Sequence, residues 1–396
     1  MRRRVVIHWG VSSFFGWGVY GLNLALHWSL DPLVEPLTSY PLRPDQVVVD
    51  PLKERLLAPF RAESRGLQEK LAAFSNRTVT ADGPVLAALG NDFRVSALAN
   101  DLTLAGTPTI GVVFFEIPHL DADTVARAKA LPLIVAGSTW NERILREHGV
   151  ERVTTVIQGI DPTLFHPAPR AGWMPGRFLV FSGGKLELRK GQDLVIAAFR
   201  RFAERHRDAL LVTAWHSPWP QFARTVDASG RAAPVVFDAA GKVDAVGWAA
   251  ANGIPPDQVL DLGAVPNALM APILREMDVA LFPNRSEGGT NLVAMECMAS
   301  GVPTILSANT GHLDLTAHPG AAFVLSEQRP VAGAYGPVGG TPGWGESSVD
   351  EIVAHLEAAY ADRNDARRRG AAGADAVGRL TWARTAAAMR DIVVAV

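Results

Sequence analysis

Lysine is scarce in this chain of 396 residues: it stands only at 53, 70, 129, 185, 190 and 242, and every other cationic side chain besides histidine is arginine. Cysteine is scarcer still. Cys297 stands alone, which excludes an internal disulfide and a cysteine-based zinc cluster and fits a reducing compartment. Neither sign of charge dominates: charged residues make up 20% and the formal net charge is −2. That balance leaves no basic excess for nucleic acid, so no nucleic-acid partner is expected. Long apolar runs are missing too. No stretch approaches the roughly 18 residues of a membrane span, and the apolar segment 11–26 is broken by Gly16, Gly18 and Gly21. The start, Met1-Arg2-Arg3-Arg4 followed by Val5-Val6-Ile7, has the basic-then-apolar order of a secretion signal. His8 and Trp9 cut the run short and no small-x-small cleavage site follows, so a buried first strand and a cytoplasmic location are expected.

What is present is apolar and periodic. Hydrophobic residues make up 48%, enough for two α/β domains of ordinary size. Short apolar runs alternate with helical patterns, the signature of parallel sheets with crossover helices. Strands are expected over 4–9, 46–49, 109–115, 132–137 and 153–158, then over 178–182, 210–214, 259–262, 279–282, 303–306 and 322–325. Helices are expected over 123–130, 139–148, 193–203, 267–277, 291–300 and 381–394, with Ser138 or Thr139 capping the second of these. Two prolines in Phe165-His166-Pro167-Ala168-Pro169 mark a linker. The domains are therefore drawn as 1–168, 169–380 and a closing helix, 381–396. Pro218–Asn252 and Gln328–Ser347 read as insertions.

Three segments point to a ligand bearing a diphosphate. Gly183-Gly184-Lys185-Leu186-Glu187-Leu188-Arg189-Lys190-Gly191 directly follows a strand. Its glycines permit close backbone approach, and it holds two of the six lysines. In Asn284-Arg285-Ser286-Glu287-Gly288-Gly289-Thr290-Asn291-Leu292, a strand ends, a glycine pair turns the chain, and Thr290 or Asn291 caps a helix. The free amides and the positive dipole end of that helix suit phosphate. Glu296 lies one turn inside it, where a carboxylate can hold ribose hydroxyls, and Glu287 falls at the carboxyl edge of the sheet, where α/β folds bind ligands. Arg285 reads as a surface residue. The third segment, Gly16-Trp17-Gly18-Val19-Tyr20-Gly21, matches G-x-G-x-x-G. Gly10 to Phe15 separate it from the strand, so it reads as a flexible glycine loop rather than a nicotinamide site. Each segment also has a plainer reading, as a solvated turn or a capped helix with surface charges.

These residues resemble the retaining glycosyltransferases of family 4, also called glycosyl transferases group 1, of the GT-B fold. Gly184-Lys185-Leu186 with Lys190-Gly191 is similar to the family's Gly-Arg-Leu-x-x-x-Lys-Gly. Gly159-Ile160-Asp161 with Phe165-His166-Pro167 resembles its linker motif. The strand from Met277 to Pro283 resembles the one before its paired glutamates, and Glu296-Cys297-Met298-Ala299-Ser300-Gly301-Val302-Pro303 resembles Glu-Ala-Met-Ala-x-Gly-x-Pro. Trp382 resembles the family's terminal helix. The resemblance runs from about 108 to 310 and returns near 381. Two departures stand out. One residue more separates Glu287 from Glu296 than in the family, with Leu292 keeping its place four before Glu296. Lys185 replaces an arginine, keeping the charge and losing bidentate geometry.

The resemblance implies two Rossmann-like domains facing across a cleft. It implies transfer of a sugar from a nucleotide-diphosphate sugar to a hydroxyl acceptor, with retention of configuration and without a metal or other cofactor. The acceptor would be a glycan, a lipid-linked saccharide or a small molecule, as in polysaccharide biosynthesis, and peripheral contact with the inner membrane face is compatible with that. Lys185, Lys190 and the turn Gly288, Gly289, Thr290, Asn291 and Leu292 would grip the diphosphate, with Gly16 and Gly18 over the phosphates. Glu296 would hold the ribose and Glu287 the transferred sugar. Glu116, which follows a strand with His119 close behind, is the candidate to orient or deprotonate the acceptor. Trp215, His216 and Trp219 either line a ligand or pack in the core, and Cys297 reads as a small buried residue. Two competing readings are a dinucleotide oxidoreductase using Gly16, Gly18 and Gly21, and a non-catalytic sugar-nucleotide-binding protein.

Overall fold

The computed structural model describes residues 2–331 and 341–396. The chain forms two compact units: Met1–Asp161 with Pro266–Ala268 and Leu380–Val396, and Pro162–Val265 with Leu269–Arg379. The first unit thus ends at Asp161, earlier than position 168, and Phe165 to Pro169 lie in the second. Part of the segment read as an insertion over 328–347 lies outside the described residues.

The first unit is built on a six-stranded parallel sheet in the order β2-β1-β4-β6-β7-β8. Its strands are β1 (Arg3–His8), β2 (Val34–Thr38), β4 (Val85–Leu89), β6 (Thr109–Val113), β7 (Leu133–Ala136) and β8 (Val153–Thr155); β3 (Thr78–Thr80) and β5 (Thr103–Ala105) make a separate parallel pair. Helices α1 (Gly16–Ser29), α2 (Pro51–Leu71), α3 (Ala122–Ala130) and α4 (Thr139–Glu147) connect them. Ser138 caps α4 by accepting from the amide of Asn141. The inner strands β4, β6 and β7 are mostly Val, Ile, Leu and Ala and largely buried, as the middle of a parallel sheet requires.

Two expectations fail here. The run 46–49 is no strand. Residues 44–46 form a short 3-10 turn, and the segment hangs from Ser13, whose amide donates to the Gln46 carbonyl (2.9 Å) and whose Oγ accepts from the Val48 amide (2.9 Å). The sheet position goes instead to β2, Val34-Glu35-Pro36-Leu37-Thr38. Its proline is tolerated because β2 is an edge strand. Nor is 16–21 a flexible loop, for all six residues lie in α1. A Cβ on Gly18 would stand 2.5 Å from that of Ser12, and one on Gly21 would stand 2.7 Å from Trp9 Nε1. These glycines let the helix close down on the chain that leaves β1.

The second unit repeats the plan: six parallel strands in the order β11-β10-β9-β12-β13-β14. They are β9 (Phe178–Gly183), β10 (Ala209–Ala214), β11 (Val259–Asp261), β12 (Val279–Phe282), β13 (Thr304–Ser307) and β14 (Phe323–Leu325), with an antiparallel pair, β15 (Gln328–Pro330) and β16 (Gly345–Ser347), beside them. The helices are α5 (Gln192–Ala203), α6 (Ala245–Ala251), α7 (Asn267–Glu276, whose first residues count with the first unit), α8 (Leu292–Ala299), α9 (Leu313–Thr316), α10 (Val349–Ala361) and α11 (Arg363–Val377). The core joins Phe178, Val180, Phe199, Phe202, Trp215 and Trp248. The segment 218–252 contributes Val226 and Trp248 to that core. Trp215 is therefore a core residue, fully buried with its indole N–H on Ser182 Oγ (3.1 Å), and Trp219 is exposed. The last helix, α12 (Trp382–Ala395), packs within the first unit, where Trp382 stacks on Tyr20 and the Trp28 indole donates to the Ala386 carbonyl (3.0 Å).

Candidate active site

In the second sheet the strand order reverses between β9 and β12, which pair through Val180 with Val279 and Phe181 with Ala280. At such a switch point the connections from two adjacent strands leave in opposite directions, and a crevice opens at their carboxyl ends. The segments 184–191 and 283–291 are those two connections.

The first is shaped by two glycines in left-handed conformations, Gly184 (φ 107°) and Gly191 (φ 72°). Gly191 caps α5 and lies so close to β12 that a Cβ would stand 2.3 Å from the Pro283 carbonyl oxygen. Between them a 3-10 turn, 188–190, turns Arg189 and Lys190 toward the end of β12. The second connection is anchored from below. Arg285, with no exposed surface, makes a bidentate pair with the equally buried Asp193 (2.7 Å to each oxygen) and also reaches Glu346 (2.8 and 2.9 Å) and the Leu188 carbonyl (2.8 Å). The surface reading of Arg285 is thus corrected. A buried guanidinium is tolerated because carboxylates on α5 and β16 and a backbone oxygen take up its donors. This pairing ties the 283–291 connection to the first turn of α5.

On this frame the charged side chains converge. Glu287 accepts from Lys190 Nζ and from Asn284 Nδ2, and from Arg189 Nη1 at 3.1 Å, while its amide donates to Thr310 Oγ1 (2.8 Å). Arg189 Nε also meets Glu187, which pairs with Lys185 Nζ at 3.2 Å. Lys185 is the more open of the lysines and lies over the ring of Phe222, 5.5 Å from its centre. Burial alone would push the Glu287 carboxyl up, but Lys190, Arg189 and His312 draw it down to about 2. It is therefore a carboxylate at neutral pH. Burial lowers the ammonium of Lys190, and Glu287 acts to hold its proton.

His312 sits beneath the turn, fully buried, and burial brings it down to about 4. Its bonds fit the neutral ring. Ser307 donates its hydroxyl proton to the Asn284 carbonyl (2.7 Å), so the 3.0 Å contact to His312 Nδ1 requires the ring to donate there. That leaves Nε2 to accept from Asn291 Nδ2 (3.2 Å). Asn291 caps α8 with φ 65°, a left-handed conformation that asparagine tolerates, and its Oδ1 accepts from the Ala294 amide. Gly311 fits directly under the turn, since a Cβ there would stand 1.8 Å from the Gly289 carbonyl oxygen. The glycine-rich turn is thus a buttressed loop, with Gly288, Gly289, Thr290 and Asn291 all buried.

Of the residues singled out from sequence, Lys185, Lys190, Glu287 and the 288–292 turn are gathered at this switch point. Glu296 is buried on α8 (3% exposed), next to Cys297, whose thiol is pushed up first by burial and then by that carboxylate. Gly16, Gly18 and Glu116 belong to the first unit. Glu116 is half-buried after β6, with its amide on Asn91 Oδ1 (2.8 Å), and His119 is exposed. His216, just past β10, pairs with Asp261 (2.7 Å), the last residue of β11. The sequence reading missed Arg189, Asn284, Thr310 and His312. A signal existed for the last two: Asn309-Thr310-Gly311-His312 begins one residue after β13, the next strand along the same edge.

Residues 176–334 match the model of the family described as Glycosyl transferases group 1. No curated protein matches the chain. Among solved structures, sucrose-phosphate synthase from Thermosynechococcus elongatus is similar in fold (TM-score 0.63, 16% identity, 99% of this chain and 98% of that one). So is Anabaena Alr3699/HepE, solved in complex with UDP and glucose (TM-score 0.64, 11% identity, 100% of both chains). The trehalose 6-phosphate synthase of Burkholderia multivorans matches at TM-score 0.58 and 14% identity, over 100% of this chain and 99% of that one. The fold is therefore α/β with two Rossmann-like domains of the GT-B type, and the second unit carries a glycosyl transferases group 1 domain.

Proposed function

We propose that the chain is a retaining glycosyltransferase of family 4 that moves a sugar from a nucleotide-diphosphate sugar to a hydroxyl acceptor without a metal ion. One observation carries the reading: Lys190 bonds directly to Glu287, the residue that leads into the Gly288–Asn291 turn, at the switch point of the second sheet. Cations and helix-start amides then share one crevice, the arrangement that stabilises a departing diphosphate. Lys185, Lys190 and the turn grip that leaving group, Glu287 holds hydroxyls of the transferred sugar, and Glu296 holds the ribose. Gly16, the first residue of α1, is assigned to the donor as well, whereas the space beside Gly18 is already filled by Ser12. As the anomeric C–O bond breaks, its electron pair passes to the diphosphate, the acceptor oxygen bonds to the anomeric carbon on the same face, and the acceptor's proton goes to the departing diphosphate oxygen. Glu116 orients that hydroxyl. The ion pairs fit this scheme, because a diphosphate can take up the same donors of Lys185, Arg189 and Lys190 that Glu187 and Glu287 accept from. The same acceptor chemistry, glycan or lipid-linked saccharide, fits a protein working in the cytoplasm or at the inner membrane face. Among the described residues no helix is long and apolar enough to cross a membrane.

No observation favours the dinucleotide oxidoreductase, since Gly18 and Gly21 face Ser12 and Trp9. The non-catalytic reading is separated by turnover. Lys190→Ala is expected to cut transfer, or slow donor hydrolysis without acceptor, by about 2–4 kcal/mol of transition-state stabilisation, with the fold intact by circular dichroism. Full turnover in the variant would remove Lys190 from the mechanism.

A further inference from the structure

The first unit contains a cavity of about 340 Å3 between the face of α2 and the segment 41–50, bordered by Leu42, Val47, Glu54, Arg61, Arg65 and Gln68. That volume falls in the ~300–1,000 Å3 range of small-ligand sites and far exceeds the ~30 Å3 share of one water.

Its frame is fixed from two sides. On the helix side, Gln68 Nε2 donates to the carbonyls of Thr38 (3.2 Å) and Tyr40 (2.7 Å), and Ser64 Oγ accepts from the Thr38 amide (2.9 Å). These bonds dock the face of α2 that carries Arg61 and Arg65 on the carboxyl end of β2. On the other side, the 41–50 segment hangs from Ser13, just past β1, through its bonds to Gln46 and Val48. The first sheet reverses its strand order between β1 and β4, so this segment reaches from α2 to the first unit's own switch point.

The chemistry of the lining is uneven. Arg61 spends Nη2 on Glu54 Oε2 (3.0 Å), yet its Nε is buried with no hydrogen-bond partner. That nitrogen is closed off from any ligand, so Nη1, which makes no hydrogen bond among the described residues, is the donor that Arg61 keeps for an anion. Arg65, one helical turn on, has no ion pair or hydrogen bond among the described residues and remains exposed. Two guanidiniums four residues apart on a helix face one way, and such forks suit phosphate and carboxylate oxygens. Leu42 and the buried Val47 supply an apolar wall opposite.

We propose that this cavity binds the oxyanion of an acidic acceptor, a sugar phosphate or a uronic acid, with Arg61 and Arg65 on the anion and Leu42 and Val47 against the ring. The proposal deepens the glycosyltransferase reading, on which its acceptor role rests, but its binding step can be tested without turnover. The full chain is titrated by calorimetry with a monosaccharide phosphate, a uronate and the matching neutral sugar, and the titration is repeated with Arg65→Gln. The acidic sugars bind more tightly than the neutral one, and Arg65→Gln weakens them by about tenfold, the equivalent of one charge-assisted bond. Its affinity for uridine diphosphate stays unchanged. Preference for the phosphate or for the uronate tells which oxyanion the pocket takes. In transfer assays the variant raises KM for the acidic acceptor and leaves kcat alone. Equal binding of acidic and neutral sugars, or unchanged affinity in Arg65→Gln, overturns the pocket. Arg65-dependent binding with no change in acceptor KM overturns the acceptor role. Failure of the Lys190→Ala test would sink the transferase reading while leaving the calorimetry to stand.

Discussion

Each unit presents a glycine-rich segment after its first strand, and the two do opposite work. In the second unit Gly184 and Gly191 take left-handed conformations that shape a loop, and the loop carries cations to the crevice. In the first unit Gly16, Gly18 and Gly21 lie in a helix, and the latter two are filled by neighbours. The first unit matches a dinucleotide fingerprint in spacing, although Gly10 to Phe15 part it from its strand. Backbone conformation separates the two segments further. A glycine marks a phosphate loop when its φ requires it and the space beside it is kept for ligand, and it marks packing when a side chain already stands there.

The sharpest way to break this contrast is Gly191→Ala. The substitution imposes a left-handed alanine, at about 1–2 kcal/mol, and drives a methyl into the Pro283 carbonyl, where overpacking costs about 1–3 kcal/mol more. Urea unfolding should show a loss of roughly 2–5 kcal/mol, the sum of those two effects. The Lys190 turn should leave the end of β12, so nucleotide-sugar affinity falls along with stability. A variant as stable as the parent would mean that the close approach of the two connections is not what shapes the site.

A pH comparison sharpens the same point, because each unit buries a histidine near its switch point. His8, at the end of β1, bonds Ser39 Oγ (2.7 Å) and the Ser96 carbonyl (3.1 Å), and burial lowers it. His312 is lowered further, to about 4. Below its ordinary value of 6.5, the unfolded chain takes up a proton that the folded His312 refuses, so stability falls as pH drops from 6.5 toward 4. At about 1.4 kcal/mol per unit, the loss from this group is on the order of 3 kcal/mol across that window. Glu287 acts later: its contribution is present above about 4.5 and is lost as pH falls toward about 2. His8 has the same sign as His312, so the parent alone cannot separate them. In His312→Gln the dependence of unfolding free energy on pH between 7 and 5 should flatten. An unchanged slope would place the titration elsewhere.

What could be read from the sequence follows from the range of the interactions involved. The strands of the second unit are short, mostly apolar runs, and they appear within a residue or two of where they were expected. In the first unit β2 was hidden by Pro36, and β4, Val-Leu-Ala-Ala-Leu, is composed of residues that serve a helix as well as a strand. The glycines and lysines of the site lie in contiguous motifs and were visible. The support was not. Asp193, Arg285 and Glu346 meet only because the sheet order brings α5, the loop after β12 and β16 together, and no local pattern encodes that. Arg189 was passed over beside Lys190 because its aim depends on the 188–190 turn rather than on its own identity.

The smallest expected effect tests the boundary between packing and approach within one motif. Gly16 opens α1, is exposed, and has no atom within 4 Å of where a Cβ would sit, whereas Gly18 faces the backbone of Ser12 at 2.7 Å. Gly16→Ala therefore removes flexibility from the unfolded chain at no steric cost and should raise stability by about 0.5–1 kcal/mol. Thermal unfolding in the absence of ligand reads that shift. Nucleotide-sugar titration of the same variant reads the other half of the question: a residue assigned to the donor should lose affinity when a methyl covers its amide, even as the melting temperature rises. If stability rises and affinity does not move, Gly16 is only the first residue of a helix, and the donor is held by the second unit's glycines alone.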